Sequence, residues 1–391
     1  MKIGRFATAG LAFLLFFGPI LAYASGRRGA PVENRPATDF SELSVSWDGF
    51  STLSQFIGDR IPLRSRAIKS DGWIDQHVFN ENPAFGGGAV PRIIHGKDGY
   101  LFLNDDFGMA CQSAEVVPQI VSGISNFMSV IKKSGRQAIY TVAPNKTTLH
   151  RELLPDDQGS IDCLNQYSDG LWQGLSAANI DGYVDLKSAL SSAMEKTREP
   201  LFLRKDSHWD SAGNAAAAKA VINELQPGLW DDSALQYKGL IDYIGDLTYL
   251  EGNPIVDQTP LYEVVRPEIT AGTPEIWDNG DLTHIYRRYT NAGPEGSLIK
   301  AKTVIMIDSF GVEAVGRIIP YFADITFVHF DALTADDLIS EFNQADLVWV
   351  MSVERAVGGR FSDPPVDVFF SYATKDFLDA MASRLESKGA S

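Results

Sequence analysis

The sequence predicts an α/β protein built on one mostly parallel sheet with helices on both faces. Two observations carry that expectation. Candidate strands such as Thr303–Ile307, Ile325–Val328 and Leu347–Met351 are nearly continuous apolar runs, as in sheets buried on both sides, and segments of helical period alternate with them. The 391 residues, 45% hydrophobic and 21% charged, are enough to bury a large core.

Along the chain, Lys2 and Arg5 precede an apolar stretch from Ala7 to Ala24 that ends in Ala22-Tyr23-Ala24. This is the pattern of a signal peptide, and its length also suits an uncleaved membrane anchor. Either outcome exports the body of the chain, in a bacterial envelope to the periplasm, soluble after cleavage or tethered to the inner membrane. Residues 26–84 are expected to be a tether and N-terminal extension, with an amphipathic helix over Phe50–Ile68. Gly96-Lys97-Asp98-Gly99 reads as a hairpin turn between Val90–Ile94 and Tyr100–Leu103.

Val117, Ile120, Val121, Ile124, Phe127, Met128 and Ile131 follow 3.6-residue spacing up to a Lys132-Lys133-Ser134-Gly135 stop, which predicts a helix. A strand follows over Gln137–Val142. Leu186–Lys196 reads as helix, Leu201–Leu203 as a short strand, and Ala212–Leu225 as an alanine-rich helix. Helices over Val312–Tyr321 and Leu333–Phe342 separate the last strands, and Asp376–Leu385 closes the chain. Between about 226 and 300 the pattern breaks into Pro, Gly, Asp and aromatic residues. This reads as a long insertion over the C-terminal edge of the sheet, where α/β proteins place their ligands. The folded domain is expected over 85–391.

The formal net charge of −16 argues against a nucleic-acid binder and requires a local basic groove for any polyanionic substrate. Cys111 and Cys163 are the two cysteines. Export permits a disulfide between them, closing roughly 50 residues and contributing about 3–4 kcal/mol on a chain-entropy account; two separate buried thiols are the alternative.

The chemistry concentrates in Asp206-Ser207-His208-Trp209 and in Asp308-Ser309-Phe310. In extended backbone Asp206 and His208 point the same way, so the carboxylate can hold one ring nitrogen and leave the other as a base. Ser309 ends a buried strand and begins a helix, whose first N–H groups can stabilise an oxyanion. Asp206, His208 and Ser309 therefore form a candidate catalytic triad, and helix capping by Asp308 or Ser309 is the structural alternative. A metal centre is disfavoured. The order Asp206-x-His208, Asp246, Asn253 imitates metallophosphoesterases, but Pro254 stands where that pattern needs a His. No metal and no cofactor are expected.

These motifs, with an exported N-terminus and Asp98-Gly99-Tyr100-Leu101-Phe102-Leu103, resemble the alginate O-acetyltransferase family of the AlgJ/AlgX type over roughly residues 85–355. The order Asp, His, then Ser matches that branch, whereas ordinary SGNH esterases carry the Ser first. The resemblance implies an SGNH-hydrolase-like three-layer α/β/α fold. It also implies transfer of acetyl groups to hydroxyls of an exported polysaccharide, alginate or a similar exopolysaccharide. Ser309 would carry the acetyl group, His208 act as base and Asp206 orient it. A membrane-bound O-acyltransferase would supply the acetyl group, alongside other polysaccharide-export proteins. Two departures stand out: Ile307 occupies a position before the Ser turn where the family commonly has Gly, and Arg204-Lys205 is unusually basic.

The resemblance also suggests that Lys146, in Val142-Ala143-Pro144-Asn145-Lys146, faces the site, with a surface lysine as the alternative, while Asp246 in Gly245-Asp246-Leu247 is structural. Trp209, Tyr249, Tyr262, Trp277, Tyr286 and Tyr289 offer planes on which sugar rings stack, with core packing as the alternative. Arg287 and Arg288, beside His284, form a local basic cluster able to hold carboxylated sugars, with a solvated loop as the alternative. A secreted carbohydrate acetylesterase shares every catalytic residue with the transferase, and a polysaccharide-binding assembly protein with a vestigial triad is the non-enzymatic alternative.

Overall fold

A computed structural model describes residues 93–156, 161–251, 253–278, 284–363 and 370–388, with residues 17, 21–23, 25, 26 and 60. The expectations for the leader, the tether and the helix over 50–68 fall almost wholly outside these residues. The chain divides into two compact units. One comprises residues 1–94 and 244–256. Its described part centres on a five-residue helix over 246–250, in which Leu247 and Thr248 are buried and Asp246 is the first residue. A carboxylate in that turn complements the helix dipole.

The second unit, 95–243 and 257–391, holds the sheet. Over the described residues, the elements in chain order begin with β1 (Ile93–His95), β2 (Leu101–Leu103), α1 (Asp105–Ser113), α2 (Val117–Lys133), β3 (Gln137–Ala143) and α3 (Lys146–Leu149). Then come α4 (Ile161–Ala177), β4 (Tyr183–Val184), α5 (Leu186–Thr197), α6 (Ser211–Leu225) and β5 (Leu235–Ile244). The helix over 246–250 is α7 (Asp246–Leu250), and β6 (Val256–Val264), β7 (Thr270–Ala271), β8 (Glu275–Ile276) and β9 (Tyr286–Ala292) follow it. The last third contains β10 (Thr303–Ile307), α8 (Ser309–Ile318), β11 (Asp324–His329), α9 (Ala335–Gln344), β12 (Leu347–Val353), α10 (Glu354–Phe361) and α11 (Lys375–Arg384).

The sheet order is β4-β3-β12-β10-β11-β9-β7, with β8 also on β9. The first five strands run parallel, and β9 adds antiparallel to β11. The expected α/β fold with a mostly parallel sheet is therefore present. The insertion differs in detail from the expectation, because β9 extends the sheet while β5 and β6 form a separate ribbon. Tyr-Arg-Arg-Tyr-Thr-Asn in β9 is too polar to read as a fully buried strand, and beyond it the sheet continues only as the two-residue strands β7 and β8.

Alternation along the strands divides the core. Ile305, Ile307, Phe327 and Trp349 face α5, α6 and α8 in one cluster. On the other face Tyr140 meets Phe361 of α10, and Phe127 of α2 packs among Phe342, Phe361 and Phe377. Helix α6 is alanine-rich because its inner face approaches backbone: a Cβ on Gly213 would lie 2.3 Å from the Leu201 carbonyl oxygen.

Leu201–Leu203 is not a sheet strand. Leu201 adopts φ 58°, a left-handed conformation costly for a leucine, and Phe202 makes only an isolated antiparallel bridge with Trp209. Cys111 of α1 and Cys163 of α4 are joined by a disulfide, with their Cα atoms 4.8 Å apart.

Candidate active site

Strand β10 is buried along its length and ends at Asp308, which caps α8. The Asp308 carboxylate accepts the Phe310 N–H at 3.1 Å, the Val353 N–H at 2.6 Å and Arg360 Nη1 at 2.8 Å. These bonds tie the end of β10 to the end of β12 and to α10. The turn that starts α8 is thereby fixed, and Ser309, its first helical residue, remains exposed. The unusual Ile307 is fully buried, and its side chain lies where a Cβ on Gly311 would come, at 2.4 Å. The glycine two residues after the serine makes room for the bulk two residues before it.

The second half of the site is the loop from Leu203 to Asp210. Leu203 N–H donates to the His208 carbonyl at 3.2 Å, and Asp210 N–H to the Leu201 carbonyl at 3.0 Å. Asp206 and His208 meet through a turn rather than through strand alternation. Asp206 Oδ1 accepts the His208 backbone N–H at 2.9 Å and lies 2.7 Å from Nδ1 of the same residue. An Asp that captures the N–H two residues on closes an Asx turn, and the ring contact then favours the tautomer with its proton on Nδ1. Both side chains are about seven-eighths buried.

Phe310 joins the halves. The His208 ring lies 5.0 Å from the Phe310 ring, and the Trp209 indole N–H donates to the Phe310 carbonyl at 3.1 Å. Asp206-x-His208 is thus docked on the residue that follows Ser309. The insertion holds the loop from its other side. Lys205 N–H donates to the Tyr243 hydroxyl of β5 at 3.3 Å, and Arg204 pairs with Asp257 of β6 at 3.4 Å. Ser211 further links the start of α6 to β6 through the Pro260 carbonyl and the Tyr262 N–H, both at 2.8 Å.

Four residues expected to bind substrate have other roles. Trp209 is 1% exposed and packs on Phe310, so it offers no face to a sugar. Lys146 is buried and donates to the carbonyls of Leu101 at 2.7 Å and Arg204 at 3.2 Å. An ammonium out of water must be matched by acceptors, and these fix it beneath the loop. Arg287 is held by Asp278 at 2.6 Å, and Arg288 by Asp324 at 2.7 Å and Glu275 at 3.1 Å. Their hydrogen-bonded carboxylates hold both guanidinium pKa values above the ordinary range, so the basic cluster seen in the sequence is neutralised in the fold. Among the aromatics, Tyr289 packs on Phe327, while Trp277 remains exposed against Tyr286.

The end of β12 carries a cluster that sequence reasoning missed. Glu354 is fully buried and accepts from Asn145 N–H at 2.9 Å, the Thr148 hydroxyl at 2.6 Å and the Trp172 indole at 3.1 Å. Arg355 N–H donates to Asn145 Oδ1 at 3.3 Å. Charged Glu354-Arg355 directly after an apolar strand at this sheet edge was the available signal. Beside them, burial pushes the Asp106 carboxyl up to about 6, against the opposing effects of Arg355 and the Thr147 hydroxyl. An acid whose pKa rises on folding stabilises below its unfolded pKa, and this contribution is lost as pH climbs through the folded value. Asp106 is therefore expected to remove roughly 3 kcal/mol of stability between about pH 4 and pH 6. Urea titrations across that window should show a smaller decline for Asp106→Asn than for the unaltered chain; equal declines would contradict the assignment.

The fold is an α/β one with a mostly parallel sheet, and this edge packs a carboxylate-oriented imidazole on the residue that follows a helix-start serine. Residues 93–259 match the family described as the SGNH hydrolase-like domain of the acetyltransferase AlgX, in agreement with the resemblance read from the motifs. The probable alginate O-acetylase AlgJ of Pseudomonas aeruginosa is 27% identical over 212 residues, 52% of this chain and 51% of that protein. The AlgJ of Pseudomonas syringae pv. tomato is 25% identical over 195 residues, 49% and 47% of the two chains. The chain thus spans about half the length of these relatives. Among solved structures, the O-acetyltransferase domain of Pseudomonas putida AlgJ aligns with TM-score 0.47 at 16% identity, covering 75% of this chain and 99% of that one. Bacillus cereus PatB1 aligns with TM-score 0.48 at 12% identity, covering 69% and 98%.

Proposed function

We propose that this chain is a polysaccharide O-acetyltransferase that carries the acetyl group on Ser309. The observation that supports it most is the Asp206–His208 pair docked on Phe310, directly after an exposed serine whose turn is fixed by Asp308. In this reading His208 Nε2 removes the Ser309 hydroxyl proton as Oγ attacks the acetyl carbonyl. The oxyanion that forms is stabilised by the Ser309 N–H at the start of α8. Collapse of the intermediate expels the donor's oxygen, which takes the proton from the imidazolium. A sugar hydroxyl then gives its proton to His208 and attacks the acetyl-enzyme, and Ser309 is released with its proton restored.

The acceptor in this proposal is a hydroxyl of an exported polysaccharide such as alginate. The reaction takes place in the periplasm, with a membrane-bound O-acyltransferase as the source of acetyl groups. The relatives named as alginate O-acetylases support the acceptor, and the N-terminal sequence pattern supports the location. The test uses the chain without residues 1–25, an activated acetyl ester and an oligosaccharide, with mass spectrometry of the sugar. Acetylated sugar is expected, and Ser309→Ala should form none. Equal product from that variant overturns the assignment, and acetate release without sugar product makes the chain an esterase.

A further inference from the structure

Most cations around the C-terminal edge are committed to protein partners. Lys146 holds two carbonyls, Arg360 holds Asp308, and Arg287 and Arg288 hold acids on the insertion and β11. Arg355 differs. It lies two residues beyond β12, the neighbour of the strand that leads to Ser309, and its guanidinium sits over the Phe310 ring, 5.4 Å from the centroid. Its side chain is 15% exposed, and among the described residues the side-chain oxygen that meets it is Asp106 Oδ1 at 3.5 Å. A guanidinium has five donors, and one contact at that length leaves most of them available.

A second donor lies beside it. The Arg355 backbone N–H requires an oxygen acceptor, which fixes the Asn145 amide with Oδ1 toward it. Asn145 is 1% exposed, and its Nδ2 is buried without an acceptor among the described residues. Leaving such a donor unmet costs about 1–3 kcal/mol, which an oxygen acceptor supplied by a ligand would recover. The ligand that suits an amide donor and a guanidinium carries only acceptors. A planar carboxylate fits the fork of an arginine, and a single charge is tolerated better than a dianion by a protein of net charge −16.

We propose that Arg355, assisted by Asn145, recognises a carboxylate of the acceptor sugar and so directs acetylation to uronate-containing polysaccharides. This rests on the reading of Ser309 as acyl carrier, and the test keeps the two apart. Calorimetry on a Ser309→Ala background compares a uronate trisaccharide with its carboxyl-reduced counterpart. Adding Arg355→Gln should weaken the acidic ligand by about 10- to 100-fold and the neutral one by less than about threefold. Arg355→Lys, which keeps the charge but not the fork, should fall between. Equal weakening of both ligands, no weakening, or no binding of the uronate to the Ser309→Ala protein overturns the proposal. Acylation of Ser309 in the unaltered chain is measured separately, and its failure removes the acyl-carrier reading without touching the binding result.

Discussion

Asp206→Asn is expected to lower acetyl transfer by about 10³- to 10⁴-fold while leaving the fold intact. The amide preserves the volume of the carboxylate but replaces the charge that faces Nδ1. It can also present its NH₂ to the ring, which favours the tautomer with the proton on Nε2 and removes the base. The imidazolium that forms during transfer then has no counter-charge in a site that is largely desolvated. Circular dichroism and urea midpoints should remain close to those of the unaltered protein while kcat collapses. A variant with a tenth or more of the original rate would show that the Asp206–His208 contact is structural.

Asp308→Ala should act on stability first. The carboxylate is 3% exposed, pairs with the equally buried Arg360, and accepts two backbone N–H groups. Its removal leaves a buried guanidinium with Ser352 Oγ as a remaining acceptor, along with two orphaned donors. Breaking such a pair from one side costs about 3–5 kcal/mol, a large share of the stability of an ordinary domain. The urea midpoint should fall accordingly at constant slope. Arg360→Met combined with Asp308→Ala should recover part of the loss, because the uncompensated charge is gone. A midpoint shift below about 0.5 kcal/mol in the single variant would place Asp308 among ordinary surface caps.

What the sequence shows clearly is what the backbone enforces locally. Apolar runs at 303–307 and 347–351 can only be buried strands, and the spacing from Val117 to Ile131 is that of a helix with one buried face. The pairing of Asp206 with His208 was also legible, though its means was not. An Asx turn and a strand both align positions i and i+2, and the positive φ at Leu201 leaves no compositional trace because leucine rarely adopts it.

The partners of charged residues were hidden for a different reason. Arg287-Arg288 is a basic pair in the sequence, yet Asp278, Glu275 and Asp324 reach it only once β9 has paired with β8 and β11. Trp209 likewise had two readings until the fold placed it under Phe310. Helix α4 was readable from Leu164, Tyr167, Leu171, Trp172 and Leu175, and was missed because the polar residues between them dilute its apolar stripe.

The proposal that Ser309 is an activated nucleophile is tested most directly by chemical trapping. The chain without residues 1–25 is incubated with a small arylsulfonyl fluoride and then examined by intact-mass and peptide-mass measurement. One adduct is expected, on the peptide containing Ser309, and His208→Asn should prevent its formation in a protein that remains folded. No adduct on the folded, unaltered chain, or an adduct mapped to another residue, would contradict the account.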